Sequence, residues 1–290
     1  MSGTRYLVAY GGDKRSKDAL RLGVALAASF KAELDIVLVV KTDNPSGAGD
    51  TPAGDIAPVL REQALQRLDD ALTLVPDGLT ARTHLRGDRS IAQGVLAAAA
   101  DLDVAMTVVG AASGGSKLAF TIGPVATALL HASPVPVAMA PRRYTPGGRL
   151  ERLYCALGTR PGAQLVLDEA VEGVARSGMD LRLLSLLELD GPDGDDGARS
   201  RVEGLMEQTM RRLEDNEVVF EIGQGRSMKQ AIESVGWHPH SVLMVGSSRL
   251  AQGNQTFLGS TAARMLRHLP VPMIVVPRPA PADARQLEEV

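Results

Sequence analysis

Residues 110–141 and 246–277 carry one pattern twice, without a gap. Each copy starts where an apolar run ends in glycine, Val108-Val109-Gly110 and Met244-Val245-Gly246. Each has a second glycine thirteen residues on, Gly123 and Gly259, then helix-like sequence, then Pro134-Val135-Pro136 or Pro270-Val271-Pro272. The offsets 246 − 110, 259 − 123, 270 − 134 and 277 − 141 all equal 136. A spacing held this strictly marks a duplicated structural unit. The length of 290 residues agrees, since at roughly 150 residues per domain it allows two.

The strands and helices alternate through both copies. In the first, short apolar runs predict strands near 6–10, 34–40, 80–86, 104–109 and 136–140, with helices near 14–30, 57–74, 91–100 and 124–132. The second repeats the order, with strands near 151–157, 181–188, 217–222, 241–246 and 272–276. Its helices are expected near 162–177, 200–215, 226–237 and 260–268. Gly/Asp-rich loops follow the second strand of each half, at 43–55 and 190–198. The organisation expected is a domain over 1–141, a linker over 142–150 containing Pro146-Gly147-Gly148, a domain over 151–277 and a flexible tail over 278–290. This alternation makes βαβ units, and hence an α/β protein of two tandem, doubly wound, five-stranded parallel sheets. Ligands of such sheets bind beyond the carboxyl ends of the strands, where the strand order switches. Every glycine loop named here follows a strand's carboxyl end.

Composition narrows the function. The net charge of −3 presents no basic face to nucleic acid or anionic lipid, and 3% aromatic residues supply few platforms for base stacking. No run of about 18 apolar residues exists to cross a membrane, and no secretory leader is expected at the N-terminus. The single cysteine, Cys155, excludes an internal disulfide and a cysteine metal cluster and fits a reducing cytoplasm. It lies in the apolar pattern Leu153, Cys155, Leu157 and is read as buried and inert. His238 and His240 flank Pro239 on a turn without an evident third ligand, so no metal site is expected. The acidic cluster 193–196 reads as a solvated loop.

The opening Leu7-Val8-Ala9-Tyr10-Gly11-Gly12, the paired glycine segments and the Pro-Val-Pro entry into the last strand resemble the universal stress protein family, over nearly the whole chain. The resemblance implies a Rossmann-like fold of the adenine nucleotide alpha hydrolase type and a cytoplasmic stress-response protein that binds ATP. Mg2+ would come only with the nucleotide, and hydrolysis would be slow at most, with no catalytic residue. It also implies that halves pair through their last strands, here Val137–Ala140 against Met273–Val276 within one chain. A further homodimer and an unidentified protein partner are compatible with it.

ATP-binding members of the family carry G-x2-G-x9-G-[ST] after the fourth strand. The glycines admit phosphates close to the backbone, and the next helix begins with free amides. The second half keeps Gly246, Gly259, Ser260 and Thr261 but has Arg249 at the middle glycine. The first half keeps Gly110 and Gly123, has Ser113 at the middle glycine, and has Pro124, which donates no N–H, where the hydroxyl belongs. The family's aspartate after the first strand is replaced by Gly11 and Gly158, with Asp13 two residues beyond Gly11. These departures keep a second function open, a stress protein that binds no nucleotide and acts as an interaction module. An adenylating enzyme with an S-G-G-x-D-S loop is not expected, because the serines are absent from Tyr10–Arg15. The order of Gly114-Gly115-Ser116-Lys117 likewise excludes a P-loop.

Overall fold

The structure, a computed structural model, describes residues 3–43, 56–111, 122–145, 148–157, 163–189, 204, 219–247 and 258–277. The first half runs β1 (Arg5–Ala9), α1 (Lys14–Phe30), β2 (Glu33–Lys41), α2 (Pro58–Leu72), β3 (Ala81–Asp88), α3 (Ile91–Asp101), β4 (Met106–Gly110), α4 (Pro124–Ala132) and β5 (Val137–Ala140). The second half runs β6 (Arg152–Ala156), α5 (Ala163–Ser177), β7 (Asp180–Glu188), β8 (Val219–Gly225), α6 (Met228–Glu233), β9 (Ser241–Gly246), α7 (Ser260–Leu266) and β10 (Met273–Val276). The helix expected near 200–215 and most of both Gly/Asp-rich loops lie outside the described residues.

Helix α1 shows how local chemistry sets the bounds. Asp13 caps its start, accepting the Ser16 N–H at 2.8 Å, and Ala19, Leu22 and Leu26 are buried along one side. At its end Lys31 takes a left-handed conformation, φ 57°, and the Ala32 N–H turns back to the Ala27 carbonyl at 3.0 Å.

Within each half the sheet is parallel. The order is β3-β2-β1-β4-β5, and the second half continues as β10-β9-β6-β7-β8 in one ten-stranded sheet. The halves meet where β5 and β10 pair antiparallel, Val137 facing Val275 and Met139 facing Met273. This is the pairing expected for the last strands. The Pro-Val-Pro segments have a definite job in it. A carbonyl needs no N–H partner of its own residue, so Pro136 accepts from the Thr107 amide and Pro272 from the Leu243 amide, both at 2.9 Å. One offset, 136, relates the two bonds. It also relates the Ala111 amide on the Ala140 carbonyl, 3.0 Å, to the Ser247 amide on the Val276 carbonyl, 2.9 Å. Thus the duplication in the sequence is a duplication of hydrogen bonds.

Side chains alternate across the strands. Tyr6, Val8 and Ile36 face a core under α1, α2 and α5, and Leu7, Val37 and Val109 face one under α3, α4 and α7. Between the halves the chain returns along α1. The Arg143 amide donates to Asp18 Oδ2 at 2.8 Å, and the Leu150 amide to Ser29 Oγ at 2.8 Å, with Tyr144 and Leu150 buried.

The second half departs from expectation in two places. Strand β8 runs on to Gly225 rather than ending near 222, because Gly223 and Gly225 let α6 lie directly on it. Helix α6 ends at Glu233 rather than near 237. Beyond it the Trp237 amide turns onto the Val235 carbonyl, and its indole N–H donates to the Ile232 carbonyl at 2.8 Å.

One buried charge ties the first half together. Asp35 on β2 is 0% exposed, and its Oδ1 receives Arg5 Nη2 and His84 Nε2, each at 2.7 Å. Arg5 Nη1 also reaches the Leu102 carbonyl just past α3. Burial opposes the charge on Asp35, but the bonds from His84 and Arg5 outweigh it and hold its carboxyl below the ordinary value. Its stabilisation is therefore complete above the unfolded-state value, about 3.9, and is lost as pH falls through the lower folded-state value. Asp35→Asn should cost about 1–3 kcal/mol at pH 7. Denaturant titrations should show that deficit shrinking below about pH 4.

Candidate functional site

The strand order switches between β1 and β4, whose neighbours are joined by helices on opposite faces, and again between β6 and β9. At the first switch Val8 pairs with Val108, which brings the ends bearing Gly11 and Gly110 side by side. Gly11 faces open space, with no atom within 4 Å of the place a Cβ would take. Gly12 has φ +82°, and the Arg67 side chain of α2 lies over it.

Gly110 has a different reason to be glycine. A Cβ there would overlap the Arg15 carbonyl oxygen, so its bare backbone is what α1 rests on. Gly246 repeats the arrangement more loosely, with Val166 Cγ2 of α5 at 2.8 Å from the missing Cβ. Both glycines seat the helix that leaves the neighbouring strand. Sequence spacing alone does not separate that role from phosphate contact.

The carboxylate of Asp13 is engaged at the start of α1. Its Oδ1 takes the Ser16 amide, and its Oδ2 takes Arg15 Nε at 2.8 Å. Desolvation pushes its pKa up, but these partners more than compensate and hold it below the ordinary value.

The second glycines begin helices. Gly123 is the N-cap of α4 and Gly259 that of α7, both extended and neither with a side-chain cap bond. Their carbonyls accept from the Thr127 and Ala263 amides at 2.8 and 2.9 Å. Ser260 and Thr261 are therefore not caps, although their residue types suit that position. They stand exposed on the first turn of α7. Pro124 occupies the equivalent first position of α4. Ser113, Arg249 and Gly158 lie outside the described residues.

Some features near the strand ends left no mark in the sequence. Arg264 of α7 pairs with Glu188 at the end of β7, and Arg67 reaches Gly12 from α2. Neither pair has a spacing that foretells it. An open depression of about 590 Å³ runs along α4, lined by Ile122, Pro124, Thr127, Ala128 and His131. Neither strand-end glycine lines it, so it is a feature of the α4 surface, not of the crevice. Glu151 lies 3.5 Å from His238 and 3.6 Å from His240, yet no His, Cys, Asp and Glu grouping suited to a metal ion occurs among the described residues. Burial pushes the Cys155 thiol up to about 12, in keeping with an inert side chain. No described helix is long and apolar enough to cross a membrane.

The sequence profile of the Universal stress protein family matches residues 4–141 and again 150–277. The chain belongs to the universal stress protein family. Universal stress proteins of Mycobacterium bovis and Mycobacterium tuberculosis are 27% identical over 288 residues, covering 93% of this chain and 99% of theirs. Among solved structures, a universal stress protein from Archaeoglobus fulgidus superposes with a TM-score of 0.63 at 18% identity, covering 96% of this chain and all of that one. A functionally unknown protein of Pseudomonas aeruginosa gives 0.61 at 14%, covering 96% and 93%. These structures share the fold.

The two glycines at the first switch should respond very differently to a methyl group. Gly110→Ala should destabilise the protein by about 3 kcal/mol, because backbone must move. Gly11→Ala should stay within about 0.5 kcal/mol of wild type. Thermal and denaturant unfolding of the two variants measures both.

Proposed function

We propose that this universal stress protein is a regulator that binds an adenine nucleotide, with ATP as the first candidate, in the crevice beyond β6 and β9. One observation carries the reading. Helix α7 opens at Gly259 without a side-chain cap and with the Ser260 and Thr261 hydroxyls exposed on its first turn. A helix start of that kind, next in sequence after a parallel strand, suits phosphate. Mg2+ would accompany the nucleotide. The family resemblance adds Gly246, Arg249 and Gly158 to this set. In the first half Pro124 removes an amide from the corresponding turn, which makes Gly11, Gly110, Ser113 and Gly123 the weaker set. We assign no catalytic residue, and any hydrolysis would be slow. A cytoplasmic location, a homodimer and a protein partner read by nucleotide state complete the proposal.

A second reading has its own support. Gly11 offers no carboxylate, and both oxygens of Asp13 are engaged within α1. A chain that had given up nucleotide for protein contacts would look like this at the first switch.

Calorimetry with ATP separates the two. The wild type should bind, and Gly259→Val should lose most of the heat while staying folded, with a loss of about 1 kcal/mol from the poorer helix cap. Equal weak heats from both proteins would leave the interaction-module reading. Gly11→Asp places a carboxylate in open space at the end of β1. If the first crevice accepts the nucleotide, a charged hydrogen bond there is worth roughly 1.5–3 kcal/mol, or tenfold or more in affinity.

A further inference from the structure

The apolar cores of the two halves are continuous across the seam. Beneath α1, α2 and α5, one apolar cluster joins Val8, Leu26 and Phe30 to Leu153, Ala170 and Ile274. On the opposite face another joins Leu129, Val137 and Met139 to Leu243, Val271 and Val275. The seam strands are the driest part of the sheet, since none of the eight residues of β5 and β10 is more than 5% exposed. Contacts between separately stable domains are more polar and leave the partners free to move. This seam instead resembles an interior. Phe30, from the end of α1, packs edge-on to Tyr6, with ring centroids 6.4 Å apart. It also fills the space over Gly173 of α5, its ring 3.2 Å from the missing Cβ. The described parts of the connecting segment are fixed to α1 at both Asp18 and Ser29.

We infer that the two repeats fold and unfold as one cooperative unit, the second repeat's stability being set across the seam by the first. Removing one half would uncover the paired edge of a four-residue strand and the apolar side chains that the other half helps to cover. A ligand bound in either crevice would then stabilise the whole chain. This inference stands on packing alone and does not depend on what the crevices bind.

The single tryptophan makes the test direct. Trp237 lies in the second half, its ring 4.8 Å from that of Tyr154. Leu68 is buried on α2, whose strands β2 and β3 are separated from the second half by β1, β4 and β5. In urea titrations of the full chain, Trp237 emission and far-ultraviolet circular dichroism should coincide. In Leu68→Ala both should move together to the same lower midpoint. A Trp237 midpoint left at the wild-type value, with the dichroism falling in two steps, would overturn the inference. Should Leu68→Ala not fold, Ile36→Val removes less from the same half and is read the same way. Hydrogen exchange of the unmodified protein gives an independent check. The slowest amides of β1 and β9 should agree within about tenfold, and a wider gap would count against a single unit.

Discussion

The rest of the architecture depends on the antiparallel contact of β5 with β10. A five-stranded parallel sheet ends in an edge, and an apolar edge with unpaired amides invites association with any other strand. Here the β5 and β10 edges answer each other, through three facing pairs between Val137–Met139 and Met273–Val275, and β3 and β8 form the outer edges. The Pro-Val-Pro segments enter the last strands just ahead of that contact. Their carbonyls fix β5 against β4 and β10 against β9 before the seam begins. Proline at a strand entry costs no ladder bond there, and it keeps the preceding turn from running on as helix.

Much of this was legible because parallel strands buried on both faces read as unbroken apolar runs. Val104–Val109 and Leu34–Val40 could hardly be anything else, and the glycine starts of α4 and α7 were local signals. The second half was less transparent. Gly223 and Gly225 read as the close of a strand, yet they lie inside β8 because α6 needs their missing side chains. Trp237 looked like a continuation of the helix, but its indole is satisfied by the Ile232 carbonyl in a turn. Both are tertiary effects and leave no periodicity to read.

The candidate site was legible as a place and not as a set of contacts. Repeats and glycines located it at the switch in strand order. They did not say that Gly110 serves helix packing, that Asp13 is consumed by a cap, or that Glu188 is held by Arg264. Asp35 is a similar case. A lone acid inside the run Leu34–Val40 announces a buried charge, but only the fold brings Arg5 and His84 to it.

Antiparallel joining has a geometric consequence. All strands of one half point their carboxyl ends the opposite way from those of the other, so Gly110 beside Ala140 and Gly246 beside Val276 lie toward contrary rims of the common sheet. The molecule is thus Janus-faced, with one mouth looking up and its copy looking down. No single small molecule can bridge the two. A macromolecule that read both at once would have to embrace the protein from rim to rim, whereas two separate visitors could dock back to back without touching.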